Sequence, residues 1–201
     1  MTTTMERQSV VTRADRVPGP EQGHWTYNHY AALPDDGRRY EIVDGVLYNM
    51  TPSSGRSHQN AALWLAHYLL MHVKVAGLGQ VFSAPFDVVL APDVVVQPDV
   101  LVVLHENSEK ITEARIVGAP DLVVEVSSPA TAGYDRREKQ DAYAHAGVPE
   151  YWIADPASRT VEVLILEGGA YQSAGVFSGQ ATLLSKIVPA IAEVRVEQFF
   201  V

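Results

Sequence analysis

Residues 120–130 read PDLVVEVSSPA. Within this stretch DLVVEVS is an apolar, β-branched run broken by one carboxylate, Glu125, and bounded by Pro120 and by Ser127, Ser128 and Pro129. Its apolar run and its flanking residues read as a short strand. A carboxylate in such a place is costly unless a cation, a proton or water meets it. The stretch therefore reads as a strand and poses a question about the partner of Glu125.

Working upstream, QVFSAPFDVVLAPDVVVQPDVLVVL (80–104) gives two or three short strands broken by prolines. Before it, SSGRSHQNAALWLAHYLLMHVKVAG (53–77) is apolar around most of its circumference from Ala61 to Val75, and reads as a long, largely buried helix ending at Gly77. YEIVDGVLYNM (40–50) carries a D-G turn between two β-rich runs, a hairpin signal. HWTYNHYAALP (24–34) predicts a short helix capped by Thr26 and finished before Pro34. Residues 1–22 are polar, carry Pro18 and Pro20 and show no period, so a mobile tail is expected there and a folded domain over 23–201.

Downstream, YDRREKQDAYAHA (134–146) predicts a polar helix stopped by Gly147 and Pro149, and EYWIAD and TVEVLILE predict further strands. Tyr151 and Trp152 read as core. The succession hairpin, helix, strands, helix, strands argues for one α/β domain, a mixed β-sheet flanked by helices.

The 201 residues suit one domain, and a hydrophobic share of 47% with a charged share of 19% is globular. The absence of cysteine removes disulfides, thiolate metal sites and a cysteine nucleophile, in keeping with a cytoplasmic location. No stretch has the length of a membrane span, and the opening lacks the apolar block of a signal peptide. The net charge of −9 argues against a broad phosphate-binding surface. One long segment, Gly45 to Phe86, has no acidic residue while holding Arg56, His58, His67, His72 and Lys74, although a buried helix with its flanks accounts for that better than a phosphate track does.

Glu125 is not alone. Asp99 follows Pro98 and precedes five apolar residues, and Glu41 lies in RRYEIVDG. Carboxylates brought together from neighbouring strands repel one another, and a shared divalent cation relieves them. Oxygen ligands without cysteine favour magnesium or manganese over zinc. A magnesium ion held by two carboxylates keeps waters and can supply a nucleophile for phosphodiester cleavage. Each acid taken singly reads as a solvated strand end; it is the three together that point to a shared cation.

QPDV (97–100), followed by EVS (125–127), resembles the PD-(D/E)XK nuclease signature. Together with RRYEIVDG, SGRSHQ, DLVVEVSSPA and DRREKQDAYAHAGVPEYWIADP in that order, the chain resembles the Uma family of restriction-endonuclease-type proteins from about Tyr27 to Phe199. The resemblance implies a restriction-endonuclease-like fold and metal-dependent cleavage of nucleic acid, with DNA the expected substrate. It implies Mg2+ or Mn2+ held by Asp99, Glu125 and the carbonyl of Val126, with Glu41 contributing directly or through a water. It also places a histidine at His58.

One departure stands out. The signature usually ends in lysine, and this chain has Ser127, which cannot steady a hydroxide or offset charge on a phosphorane as an ammonium does. Lys139 on the following helix is the expected substitute. Tyr143, four residues on, shares its helix face, which makes Tyr143, like Ser127, a supporting residue at most. The structural alternative for Lys139 is a solvated residue paired with Asp135. Arg136 and Arg137, with Arg56, are candidate nucleic-acid contacts, but Asp135, Glu138 and Asp141 cancel the helix pair as on an ordinary solvated face. Ser127 and the acidic charge keep two other readings open: a catalytically inactive binding or assembly module of the same fold, and a metal-dependent hydrolase of small phosphate esters. A homodimer fits duplex cleavage, which two symmetric sites perform most simply, though no residue of the sequence speaks for one.

Overall fold

The structure, a computed structural model, describes residues 11–50, 55–129 and 131–201. In chain order it contains β1 (Thr12–Arg13), α1 (Tyr27–Ala31), β2 (Tyr40–Val43), β3 (Val46–Asn49), α2 (Arg56–Leu69), β4 (Gly79–Ser83), β5 (Asp87–Ala91), β6 (Val94–Val96) and β7 (Val100–Leu104). Then come β8 (Arg115–Val117), β9 (Leu122–Val126), α3 (Ala132–Tyr134), α4 (Gln140–Ala146), β10 (Glu150–Asp155), β11 (Thr160–Glu167) and β12 (Ala170–Ser178). π-helical turns extend α2 over Leu70–Val75 and join α3 to α4 over Asp135–Lys139.

The strands form two mixed six-stranded sheets, β1-β3-β2-β6-β5-β8 and β12-β11-β10-β9-β7-β4. The mixed sheet flanked by helices is thus present in the second of these, and the hairpin belongs to another sheet packed beside it. β9 is central in the second sheet, antiparallel to β7 and parallel to β10. The parallel pair requires a crossover, which the α3–α4 segment supplies. All five residues of β9 are buried, Glu125 among them, which accounts for the apolar character of the other four.

Period-two alternation sorts the strands into two cores. Val100, Val102, Leu122, Val124 and Trp152 face Ala61, Leu65, Leu69 and Val73 of α2 and its extension, with Phe199 closing the end. Leu101, Val103, Val123, Tyr151 and Ile153 face the other way, against Tyr143, Tyr134 and the inner side of the first sheet at Val43, Val88 and Val96. Each fully buried aliphatic side chain contributes about 1.5–3 kcal/mol. A third cluster, Trp25, Tyr40, Ile42, Leu47 and Val95, covers the outer side of the first sheet.

The hairpin turns on Asp44 and Gly45, both at positive φ (52° and 70°), as a two-residue primed turn demands. A Cβ on Gly45 would lie 2.5 Å from the Gly23 carbonyl oxygen, so this glycine also admits a close backbone approach. That approach helps explain a difference from the sequence reading, which begins the fold at residue 23. Thr12 and Arg13 pair with β3, Ala14 is buried, and the Gly23 and Trp25 N–H groups donate to the Gly45 carbonyl at 2.8 and 2.9 Å. Residues 11–22 therefore lie on the domain; residues 1–10 lie outside the described part.

The helix predicted as largely buried buries one stripe only. Leu63, Met71 and Val75 are 67%, 44% and 64% exposed, so apolar content overstated its burial. Among the described residues no helix is long and apolar enough to cross a membrane.

Candidate active site

β7 and β9 pair with Val100 opposite Val124, so one step further Asp99 falls opposite Glu125. Residues opposed on an antiparallel ladder share a face and lie close together. Both line one cavity of about 620 Å³, walled by the first turns of α2, the ends of β7 and β9, and the segment 131–139.

Glu125 is buried, and its Oε1 is met by the Lys139 ammonium at 2.5 Å and by the Tyr143 hydroxyl, which donates at 2.7 Å. The counterion sought for the apolar strand is therefore, in this structure, a lysine. Lys139 also reaches Glu41 Oε1 at 3.1 Å and lies 5.9 Å from the centre of the Tyr134 ring, within cation–π range. It is 1% exposed, which removes the solvated-surface alternative. Burial pulls the Lys139 pKa down, but Glu125, Glu41 and Asp135 outweigh that and hold it above the usual lysine value. Burial pushes the carboxyl of Glu125 well above the usual carboxylate range against the pull of Lys139.

Asp99 sits at the cavity wall, where its Oδ2 accepts the Val126 N–H at 2.8 Å and lies 3.2 Å from His58 Nε2. His58 occupies the first turn of α2, and its Nδ1 is buried without a partner. Glu41 comes from the first sheet: Oε1 accepts the Gln97 N–H at 2.8 Å besides meeting Lys139, while Oε2 is buried and unpartnered.

Asp135 was not a site residue in the sequence reading, which treats it as part of a solvated helix face. It is 2% exposed, lines the cavity and leaves Oδ2 unpartnered. Burial raises its pKa to about 6, with Lys139 opposing and Glu41 and Asp99 adding to the rise. Burial is thus the main reason that Asp135 titrates late, and the neighbouring carboxylates add to it. The signal was available: Asp135, Lys139 and Tyr143 are spaced by four and form a stripe on the inward face of the helical segment.

The arginines separate. Arg136 and Arg137 point outward, to Glu162 at 2.6 Å and Glu138 at 3.8 Å, and neither lines the cavity. Arg56 lines a neighbouring cavity of about 430 Å³ with Ser57, Asn60 and Arg159. Of the stretch 53–57, residues 53 and 54 lie outside the described part. Ser127 continues the sheet through an N–H donated to the Ala154 carbonyl at 2.7 Å and does not line the cavity. Arg39 and Gln97 do line it, and sequence reasoning passed over both.

Glu150 is a useful contrast. It is also fully buried, yet Trp152 Nε1–H and the Lys186 and Ile187 N–H groups occupy its oxygens at 2.6, 2.8 and 3.2 Å. A carboxylate saturated by fixed donors holds the fold together and has nothing left for a ligand.

Among the described residues no three His, Asp or Glu side chains are grouped closely enough to hold a metal ion. A magnesium ion that keeps its waters needs only one or two carboxylates, and Asp99 opposite Glu125 in an open cavity meets that requirement. The buried Oε2 of Glu41 and Oδ2 of Asp135, unpartnered among the described residues, are further oxygen acceptors in the surroundings of Lys139.

Comparison with known proteins adds the family. No curated protein matches the chain. A crystal structure titled as "a putative nuclease belonging to DUF820 from Anabaena variabilis ATCC 29413" superposes with a TM-score of 0.70 at 19% identity, covering 87% of this chain and 97% of that one. At that identity the likeness is one of fold: the two-sheet α/β architecture is that of this nuclease-type structure. The model of the family Uma2, described as "Putative restriction endonuclease", matches residues 27–197. Those residues include every strand but β1 and all the residues lining the cavity, and the chain belongs to the Uma2 family.

Proposed function

We propose that this protein is a metal-dependent endonuclease that hydrolyses phosphodiester bonds of DNA at the Asp99–Glu125 cavity. The observation that carries the reading is the buried Lys139 ammonium, 2.5 Å from Glu125, in a cavity that Asp99 shares. A structural lysine and glutamate need no open cavity, and an empty cavity needs no buried ion pair.

Asp99 and Glu125, with the Val126 carbonyl, hold Mg2+ or Mn2+ in this proposal, and Glu41 contributes through a water. When bound, the ion would polarise the scissile phosphate and lower the pKa of a coordinated water. Lys139 takes over the role that Ser127 cannot fill: its ammonium steadies the attacking oxygen and offsets charge on the phosphorane. Tyr143 fixes one oxygen of Glu125, and His58 orients Asp99 from the start of α2.

Incubation of supercoiled plasmid with Mg2+ or Mn2+ tests the reading. Nicking by the wild-type protein, stopped by EDTA and reduced at least about a hundredfold in Asp99→Asn and Glu125→Gln, supports it. No cleavage by the wild type, or equal cleavage by both variants, refutes it. The cavity volume of about 620 Å³ also suits a small phosphodiester, a substrate that would ease the problem of the −9 charge. Turnover of a chromogenic phosphodiester with plasmid left intact would favour that second reading.

A further inference from the structure

We propose that Arg39 grips a substrate phosphate at the mouth of the cavity and that Gln97 is its positioning residue. The inference rests on the nuclease reading and deepens it, assigning the contact that lets an acidic protein hold a polyanion.

Arg39 lies two residues before Glu41 and is exposed where it lines the cavity. Its Nε–H donates to Gln97 Oε1 at 2.9 Å. The Gln97 amide has no freedom to turn over. Its Nε2 donates to Asp87 Oδ1 at 2.8 Å and to the Tyr30 oxygen at 3.1 Å, while the Tyr30 hydroxyl spends its own proton on Asp87 at 3.0 Å. Reversing the amide would set its carbonyl against the carboxylate, so Oε1 is held toward the guanidinium. The Gln97 N–H in turn donates to Glu41 Oε1, which ties this arrangement to the carboxylate centre.

With Nε engaged, the guanidinium keeps its two terminal nitrogens and their four N–H donors. No ion pair occupies them among the described residues. The other basic groups lining the cavity are committed: Lys139 to Glu41 and Glu125, and His58 to Asp99. A planar fork with free donors, anchored on one edge beside an acidic centre, matches two oxygens of one phosphate. Asp99 lies two residues beyond Gln97, so the gripped phosphate and the reacting one belong to the same stretch of backbone.

The test is fluorescence anisotropy of a fluorescein-labelled DNA duplex of about 20 base pairs with the full chain in EDTA, titrated at several salt concentrations. Arg39→Gln is expected to weaken binding about tenfold and to lower the slope of log affinity against log salt by about 1. Arg39→Lys should keep the wild-type slope with intermediate affinity, because the charge survives and the fork does not. Gln97→Leu should likewise weaken binding with little change of slope. Thermal midpoints of the Arg39 variants should match wild type, since the side chain is exposed. Arg39→Gln binding with wild-type affinity and slope overturns the inference while leaving the nuclease reading standing. So does equal weakening in Arg39→Gln and Arg39→Lys accompanied by a lowered midpoint. Absence of DNA binding by the wild type overturns both.

Discussion

The Lys139 ammonium lies 2.5 Å from Glu125 Oε1 and 3.1 Å from Glu41 Oε1, joining a helix, the central strand of one sheet and a strand of the other through one buried cation. The positive charge that makes an acidic residue tolerable in an apolar strand is built into the chain.

Removing that charge strands two buried carboxylates. Lys139→Met is expected to lower the unfolding free energy by about 3–5 kcal/mol. Adding Glu125→Gln to it should restore part of the loss, because the neutral amide no longer needs a counterion. Urea denaturation of the two single variants and the double variant measures the coupling. Additive effects would mean that the two groups do not form a pair.

Asp135 carries a pH dependence with a definite sign. Its folded-state pKa of about 6 stands above the ordinary 3.8, so below about pH 4 both folded and unfolded chains hold the proton and the residue is neutral in its effect. As pH rises toward 6 the unfolded chain ionises first, and stability falls. The full displacement of about two pH units corresponds to about 3 kcal/mol. Asp135→Asn should therefore be more stable than wild type by about 2–3 kcal/mol at pH 8, with the advantage gone near pH 4. Denaturation curves at the two pH values decide it; an advantage that is the same at both would contradict the assignment.

Tyr143 donates to the same Glu125 oxygen that Lys139 holds. Tyr143→Phe keeps the ring in its place against Tyr151 and deletes one hydrogen bond to a charged acceptor, worth about 1.5–3 kcal/mol. Plasmid nicking should fall about 10–100-fold as Glu125 loses its fixed orientation. Wild-type cleavage by a folded Tyr143→Phe protein would remove this residue from the account.

These residues differ in how far the sequence alone reveals them. The hairpin is legible because Asp44-Gly45 meets a steric requirement of the turn, and β9 because an apolar run of that length admits few other structures. Asp99 and Glu125 are paired in the sequence through the family resemblance alone; nothing in a spacing of 26 residues dictates their opposition, which comes from the ladder at Val100–Val124. Lys139 enters through family resemblance. Its neighbours Arg136, Arg137 and Glu138 make the segment look solvated, and only the stripe through Asp135 and Tyr143 betrays the inward face. Arg39 and Gln97 lie 58 positions apart and meet across two elements, a juxtaposition that no local pattern encodes. The buried-helix expectation for α2 failed for the opposite reason: its composition is apolar all round, yet the sheet covers only one side.

The claim at the centre of the account is that Asp99 and Glu125 share one divalent ion beside Lys139. A crystal soaked in Mn2+ and measured at the manganese absorption edge tests it most directly. The account predicts a single anomalous peak about 2.0–2.3 Å from a carboxylate oxygen of each residue, absent from Asp99→Asn crystals treated identically. A cavity without anomalous density at saturating Mn2+, with Glu125 still held only by Lys139 and Tyr143, would contradict it.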